Sequence, residues 1–522
     1  MACRLLILLL AILSVAAASV PAARSADLRV GLAADVTSLD PHFHNIGPNN
    51  LVAWHVFDAL TRVDENARLV PGLAESWRAV DATTWEFKLR RGVKFHDGSE
   101  LTAEDVLFSI DRPATIANSP GPYTTFTRPI VAKEAVDPYT VRLKTAAPYA
   151  MVPYDLNSVF IVSKRAASGA SPADFDAGKA MVGTGPFRFS AFKRGDRVEL
   201  TRNDAYWEGA PAWGRATLRI LPNDAARVAA LIAGEVDAIE AVPTADAKRL
   251  ASNAAFRVEQ KVSWRTLFLT LDQSRVAPPG TTDKSGKPLA ANPFKDLRVR
   301  TALARAINRN AIADRVMEGY ALPAGNLVAP PVFGHVAALK PEPYDPDGAR
   351  KLLTEAGYPD GFALVLAAPN NRYVNDEQVA QAVAQMFARV GVATRVEALP
   401  AAAYFPRARN LDFGVALLGW GSFSGDLALR SLVMSYDAER GVGTWNWGRY
   451  ANASLDALVV KALASVEDTQ REEAARAAMT VAMRELAVIP LHHQIATWAM
   501  RKDLAYVPRT DEYTFAHRFR SR

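Results

Sequence analysis

The chain has 522 residues, 49% of them apolar and 22% charged, a balance that fits an ordinary globular protein but is too long for one core at roughly 100–200 residues per domain. Its 61 basic and 55 acidic residues leave a net charge of +6, and without a dense Lys/Arg run there is no electrostatic footprint for nucleic acid. The single cysteine excludes a disulfide framework.

Arg4 precedes an uncharged run over 5–15, and Ala16-Ala17-Ala18 and Ala22-Ala23 follow with small side chains. This is the pattern of an export signal over 1–26, cleaved between Ala18 and Ala26. The run falls short of the ~20 apolar residues of a membrane helix, so the mature chain is not expected to span a bilayer. Cys3 lies before the run, so the chain is not expected to be a lipoprotein. Losing Cys3 with the signal leaves no thiolate for a metal or for nucleophilic chemistry. Losing Arg4 and Arg24 takes the charge to 59 minus 55, or +4.

A strand pattern opens the mature chain at 28–32. His42-Phe43-His44 then puts two imidazoles at the spacing of one strand face, a pair that binds metal if a third ligand joins it. A plain loop after Asp40-Pro41 is the competing reading. Within 73–110, Trp85, Phe87 and Leu89 alternate with Glu86, Lys88 and Arg90, the period of a half-buried strand. Asp97-Gly98 marks a turn, and Thr102 stands before Ala103-Glu104-Asp105, where a hydroxyl can cap a helix with an acidic first turn. His96 has no partner at metal-ligand spacing.

Further strand patterns fall at 141–143, 187–189, 198–201 and 218–221, and helical patterns at 298–312, 376–390, 455–465 and 472–486. Between the two groups Pro278-Pro279-Gly280, Gly286, Pro288 and Pro293 crowd into 276–293, which predicts a domain boundary. No repeat of fixed period is visible, which disfavours a solenoid or propeller.

The segment 417–430, LLGWGSFSGDLALR, is the best pocket candidate. Strand-like residues 413–418 deliver Gly419-Trp420 to a loop rich in Gly and Ser, where Gly421, Phe423 and Asp426 can join the indole around one solute. A core role for Trp420 and Phe423 competes with this. Phe423 stands where a nucleophile elbow needs serine, and no Gly-rich phosphate loop occurs, so no enzyme is expected. Trp445-Asn446-Trp447 could close one wall. Arg372-Tyr373 precedes the 376–390 helix, and a guanidinium fork suits a carboxylate, unless Arg372 is simply an exposed loop residue. His492-His493 beside Pro490 reads as strand-end packing.

The signature over 73–110 is joined by Ser38-Leu39-Asp40-Pro41-His42, Gly183-Thr184-Gly185-Pro186-Phe187, Asn203 with Tyr206-Trp207, Val299-Arg300 with Ala302-Leu303 and Ala306-Ile307, Gly419-Trp420, and Arg449-Tyr450 before Leu455-Asp456. Together they resemble the family 5 (oligopeptide, dipeptide and nickel type) extracellular solute-binding proteins of ABC importers. The resemblance implies an α/β periplasmic-binding-protein-like fold of type II in its large three-domain form: two lobes with a hinge and an extra domain on the N-terminal lobe. Carried onto this chain, lobe I is 27–65, 183–275 and 488–522, the extra domain 66–182, and lobe II 276–487.

It also implies a monomeric periplasmic receptor without a cofactor, which hands a small-molecule solute to an inner-membrane ABC permease. In that scheme Arg372 with Tyr373 takes a carboxylate, Asn45-Ile46-Gly47 supplies the facing loop, and Trp420, Phe423 and Trp445 pack the apolar part. The peptide-binding branch has an aspartate three positions after the tryptophan, meeting the peptide's α-amino group; here Phe423 occupies that position, which counts against a free peptide unless Asp426 reaches back. A metal-chelate receptor of the nickel type, or an exported hydrolase or chaperone on the same scaffold, are the alternatives.

Overall fold

The computed structural model describes residues 27–522, so the export-signal pattern over 1–26, with Cys3, lies outside the described residues. Its largest element is an eleven-stranded sheet. Two long strands, Phe256–Leu271 and Ile489–Arg501, lie antiparallel at its centre and run through both halves. On one side Ile489–Arg501 pairs with Ala238–Glu240, followed by Asp27–Leu32, Arg215–Ile220, Arg197–Arg202 and Phe187–Lys193. On the other, Phe256–Leu271 pairs with Val415–Gly421, followed by Phe362–Pro369 and Val392–Leu399.

The two crossing strands lose regular register between Val262 and Thr266. Before this break Phe256–Leu271 pairs only with its crossing partner, and from Arg265 onward it also carries Val415–Gly421. Such an irregularity kinks a strand and increases its local twist. It therefore marks the seam between the two halves of the sheet, the hinge position of the two-lobed fold.

The sequence pattern did not expose the first of these strands because its second half is covered on both faces. Leu267, Leu269 and Leu271 enter one buried cluster with the helices Leu297–Ala306, Pro346–Glu355 and Asp376–Arg389, while Phe268 enters another with Gly425–Leu432, Ala453–Ala464 and Asp468–Arg484. A strand buried on both sides reads as a continuous apolar run and loses its alternation.

The segment opening on the signature forms a separate four-stranded sheet, in the order Ala74–Asp81, Thr84–Leu89, Thr140–Thr145, Ile130–Asp137. Trp85, Phe87 and Leu89 are buried as their alternation predicts. Glu86 on the opposite face is nonetheless covered, held between Arg78 at 2.9 Å and Arg142 at 2.8 Å. Helix Ala103–Asp111 follows the turn at Gly98, whose φ of 87° suits glycine. At its start the Asp105 carboxylate accepts from the Thr102 amide at 3.0 Å and from its hydroxyl at 3.2 Å.

Two landmarks then explain each other. His96 exchanges bonds with the Gly-Thr-Gly segment: its Nε2 meets the Gly185 carbonyl at 3.0 Å and its Nδ1 accepts from the Gly183 amide at 3.4 Å. A Cβ on Gly183 would lie 1.9 Å from the Val56 carbonyl oxygen, so only glycine fits there. The tautomer with Nε2 protonated satisfies both bonds, and burial pushes the His96 pKa down to about 4.

Two expected elements have different limits. The helix over 298–312 breaks after Ala306, because Asn308 caps a new turn at Ala311 and Arg309 folds inward to donate to the Pro490 carbonyl at 2.8 Å. The strand over 413–418 runs on through Gly421, so Gly419 and Trp420 belong to the sheet rather than to a loop.

Candidate functional site

The pairings fix which ends meet. Ala238–Glu240 and the strands parallel to it, Asp27–Leu32 and Arg215–Ile220, run toward the hinge from one side, while Val415–Gly421, Phe362–Pro369 and Val392–Leu399 run toward it from the other. Open α/β sheets bind solutes outside the carboxyl ends of their parallel strands. Here both sets converge on one place. A cavity of about 670 Å³ opens beside it, lined by Asn45, Asn50, Trp54, Phe160, Tyr513 and Phe515 from one half, Phe423 from the other, and Trp264 from the hinge itself. That volume suits a small organic solute, which commonly occupies ~300–1,000 Å³.

The aromatic wall is braced from both sides. Phe423 stacks on Tyr154 of the segment following the four-stranded sheet, with ring centroids 5.8 Å apart, and Trp264 leans on Phe423 and on Tyr513, at 6.3 Å each. Two glycines make room for this. A Cβ on Gly421 would fall 2.5 Å from Trp264 Nε1, and one on Gly419 would fall 2.7 Å from the Tyr373 ring. On the polar side, Asn45 accepts from Asn50 at 2.8 Å and Asn50 accepts from the Tyr123 hydroxyl at 2.5 Å. His517 lines the same cavity, with its Nδ1 unpartnered among the described residues.

Next to the hinge stand two arginines. The guanidinium carbons of Arg265 and Arg372 lie 5.9 and 5.2 Å from the centroid of the Tyr373 ring, whose hydroxyl donates to the Gly419 carbonyl at 3.0 Å. Arg265 is paired with Glu512, Nη2 to Oε2 at 2.6 Å. Arg372 is exposed and its guanidinium has no hydrogen-bond partner among the described residues, with the Arg265 charge close by. A carboxylate from a solute would offset the repulsion between the two guanidinium groups.

The remaining sequence candidates divide. Asn45 and Phe423 line the cavity, whereas Ile46 and Gly47 begin the helix Gly47–Val56 beside it. Trp420 projects from the strand into a cluster with Trp445 at 5.1 Å, and Trp445 packs on Trp447 at 5.2 Å, away from the cavity lining. Asn446 is buried and structural: its amide donates to the Met434 and Tyr450 carbonyls at 3.0 and 2.7 Å. Asp426 is fully buried against Arg471, Nε to Oδ2 at 2.6 Å, and does not reach back toward Phe423. That placement corrects the expected contact with a solute: as the second residue of the helix Gly425–Leu432, Asp426 turns inward.

His42 is also committed. Its Nε2 meets the Phe160 carbonyl at 2.8 Å and its Nδ1 lies 3.3 Å from Arg112, which is itself paired with Asp40 at 2.6 Å. His44 instead meets the Thr37 hydroxyl at 3.0 Å, and no group of metal-ligating side chains occurs among the described residues. His492 and His493 lie inside a crossing strand, with His493 bonded to Thr266 at 2.8 Å. Trp264, Arg265, Glu512, Tyr513 and Phe515 were not singled out by the sequence. The alternation of Tyr513 and Phe515 was the available signal, and nothing local showed that the C-terminal segment returns to the hinge.

Among the described residues no helix is long and apolar enough to cross a membrane. The family model for the middle region of bacterial extracellular solute-binding proteins, family 5, matches residues 68–436. The glutathione-binding protein GsiB of Escherichia coli strain K12 is 30% identical over 479 residues, covering 89% of this chain and 88% of that protein. Among solved structures, the periplasmic binding protein DppA of Helicobacter pylori in complex with the peptide STSA superposes with a TM-score of 0.78 at 23% identity, covering 95% of this chain and 98% of that one. NikZ of Campylobacter jejuni in complex with Ni(L-His) gives 0.77 at 22% identity, covering 96% and 100%.

Proposed function

Because the chain belongs to the bacterial extracellular solute-binding proteins of family 5, we propose that it is the periplasmic receptor of an ABC importer that encloses a peptide-like solute bearing a free carboxylate. The observation that carries this reading is the cavity at the converging strand ends; an uncommitted arginine, Arg372, stands over Tyr373, whose hydroxyl reaches Gly419 on one of those strands. Arg372 takes the carboxylate; Phe423, Trp264 and Tyr513 pack the apolar part; Asn45 and backbone groups orient the rest. Lobe II then begins within the crossing strand near residues 263–265, and the chain returns near 493–495.

The cycle needs no covalent step. A solute that touches both halves only when they are closed binds that state more tightly, and its differential affinity shifts the hinge equilibrium. Glutathione is the first probe, since it is the named solute of relatives at 30% identity. The chelate reading has less support, because His42 is committed to Phe160 and Arg112.

Native mass spectrometry of the protein purified without denaturation, followed by calorimetry with glutathione and a dipeptide panel, tests the proposal. A co-purified carboxylate-bearing solute that binds one to one, and at least tenfold more weakly to Arg372→Ala, is the expected result. Turnover of the solute, or equal affinity in Arg372→Ala, would overturn it.

A further inference from the structure

Glu512 sits in a position that the solute-binding reading leaves unexplained. Its backbone is left-handed, with φ of 66°, an uncommon conformation for a residue with a side chain. Its two neighbours, Asp511 and Tyr513, line the cavity, and Asp511 is held by Arg509. The Glu512 carboxylate accepts from Ser263 Oγ at 2.6 Å, Arg265 Nε at 3.2 Å, Arg265 Nη2 at 2.6 Å and Gln494 Nε2 at 3.2 Å. All these donors belong to the two crossing strands, at the break in their register.

The charges follow from this geometry. Arg265 and Arg372 flank one tyrosine ring, and two guanidinium groups so close would make a doubly positive patch. Glu512 neutralises the first through a bidentate contact, the geometry a solute carboxylate would otherwise use. Burial works to raise the Glu512 pKa, and Arg265 outweighs it, so the group stays below its ordinary value and ionised. The other nearby acid, Asp376, is turned away: it accepts from the amides of Arg372, Tyr373 and Glu377 at 2.9, 3.0 and 3.0 Å.

We propose that Glu512 is a specificity-determining positioning residue of the solute site: it pins Arg265 to the hinge and cancels its charge, so that this end of the cleft receives one carboxylate rather than two. The inference rests on the carboxylate-receptor reading above. It assigns the charge selection to a residue that reaches the solute only through Arg265.

The test is calorimetry on the full chain with glutathione and with the analogue carrying aspartate in place of its glycine, which adds one carboxylate at that end. Wild type should prefer glutathione. The isosteric variant Glu512→Gln should shift the ratio of affinities about tenfold toward the analogue, and Glu512→Asp, which keeps the charge, should stay near the wild-type ratio. An unchanged ratio in Glu512→Gln, or an equal shift in Glu512→Asp, overturns the inference.

If wild type binds neither peptide, glutathione is excluded as the solute and the inference is read from the free protein. The Arg265 Nε proton, assigned by its loss in Arg265→Lys, should exchange slowly in nitrogen-15 spectra of wild type and at least tenfold faster in Glu512→Gln. Equal exchange would overturn it.

Discussion

Replacing Asp426 by alanine separates the sequence expectation of a solute contact from the buried pair that the structure shows. Both side chains are fully enclosed, with 0% exposure for Asp426 and 1% for Arg471. Arg471 is further wedged between the rings of Tyr154 and Phe333, its guanidinium carbon 4.0 and 4.4 Å from their centroids, and donates to Ser424 Oγ at 3.0 Å. Truncating the carboxylate leaves a charge in the core with aromatic faces and, as counter-ion, only the exposed Asp468 carboxylate at 3.6 Å; breaking a buried pair costs up to about 3–5 kcal/mol.

Denaturant unfolding followed by tryptophan fluorescence should show that loss for Asp426→Ala and for Arg471→Met. The double variant Asp426→Leu/Arg471→Met should lose less than the sum, because it removes both charges together. Solute affinity of the folded variant should stay within a few-fold of wild type. Stability equal to wild type combined with lost binding would refute the argument and return Asp426 to the solute site.

Asp155 is buried, and that burial raises its pKa to about 6, against the opposing charge of Arg430. A raised folded-state pKa means stability that is full below about pH 4 and lost as pH rises through about 6. Asp155→Asn should therefore be more stable than wild type at pH 7, by on the order of 2–3 kcal/mol, with the gap closing below pH 4, as denaturant midpoints across pH would show. His42, His55, His96 and His492, each lowered by burial to about 4, and His493, lowered to about 3, act in the opposite sense. Their stabilisation is present above about pH 6.5 and lost on acidification toward 4, each by up to about 1.4 kcal/mol per pH unit; the same titration should show a falling limb, flattened in His96→Gln. Gly421→Ala should push the Trp264 indole off the strand, costing about 1–3 kcal/mol and shifting tryptophan emission, with solute affinity down about tenfold; unperturbed emission would show that the ring yields elsewhere.

Local patterns carried much of this fold. The strand 84–89, the turn at Gly98 and the helix beginning at Ala103 follow from alternation and capping, which are short-range effects. Phe423 and Asn45, both legible as loop or strand-end residues, line the cavity, and Arg372 stands over the Tyr373 ring. The parts that stayed hidden depend on long-range geometry. Nothing near Asp426 in sequence announces Arg471, and nothing near Arg265 announces Glu512, 247 positions away. Trp420 looked available because a strand was expected to stop at 418; three further residues of pairing with Thr266 and its neighbours turn it into a packed side chain.

The wiring of the two central strands also sets the order of events when the chain is made. Phe256–Leu271 cannot meet Ile489–Arg501 until some 218 residues more, from 271 to 489, have been synthesised, a delay on the order of 10–40 s at roughly 5–20 residues per second. Until then the sheet has an open edge at its middle, where unpaired amides and carbonyls invite other chains. The strand made nearly last thus closes both halves at once, and pairing over so long a separation works against fast folding. A nascent chain stalled anywhere before residue 489 has neither the hinge nor the cleft, and its unfinished sheet is what a chaperone would have to cover.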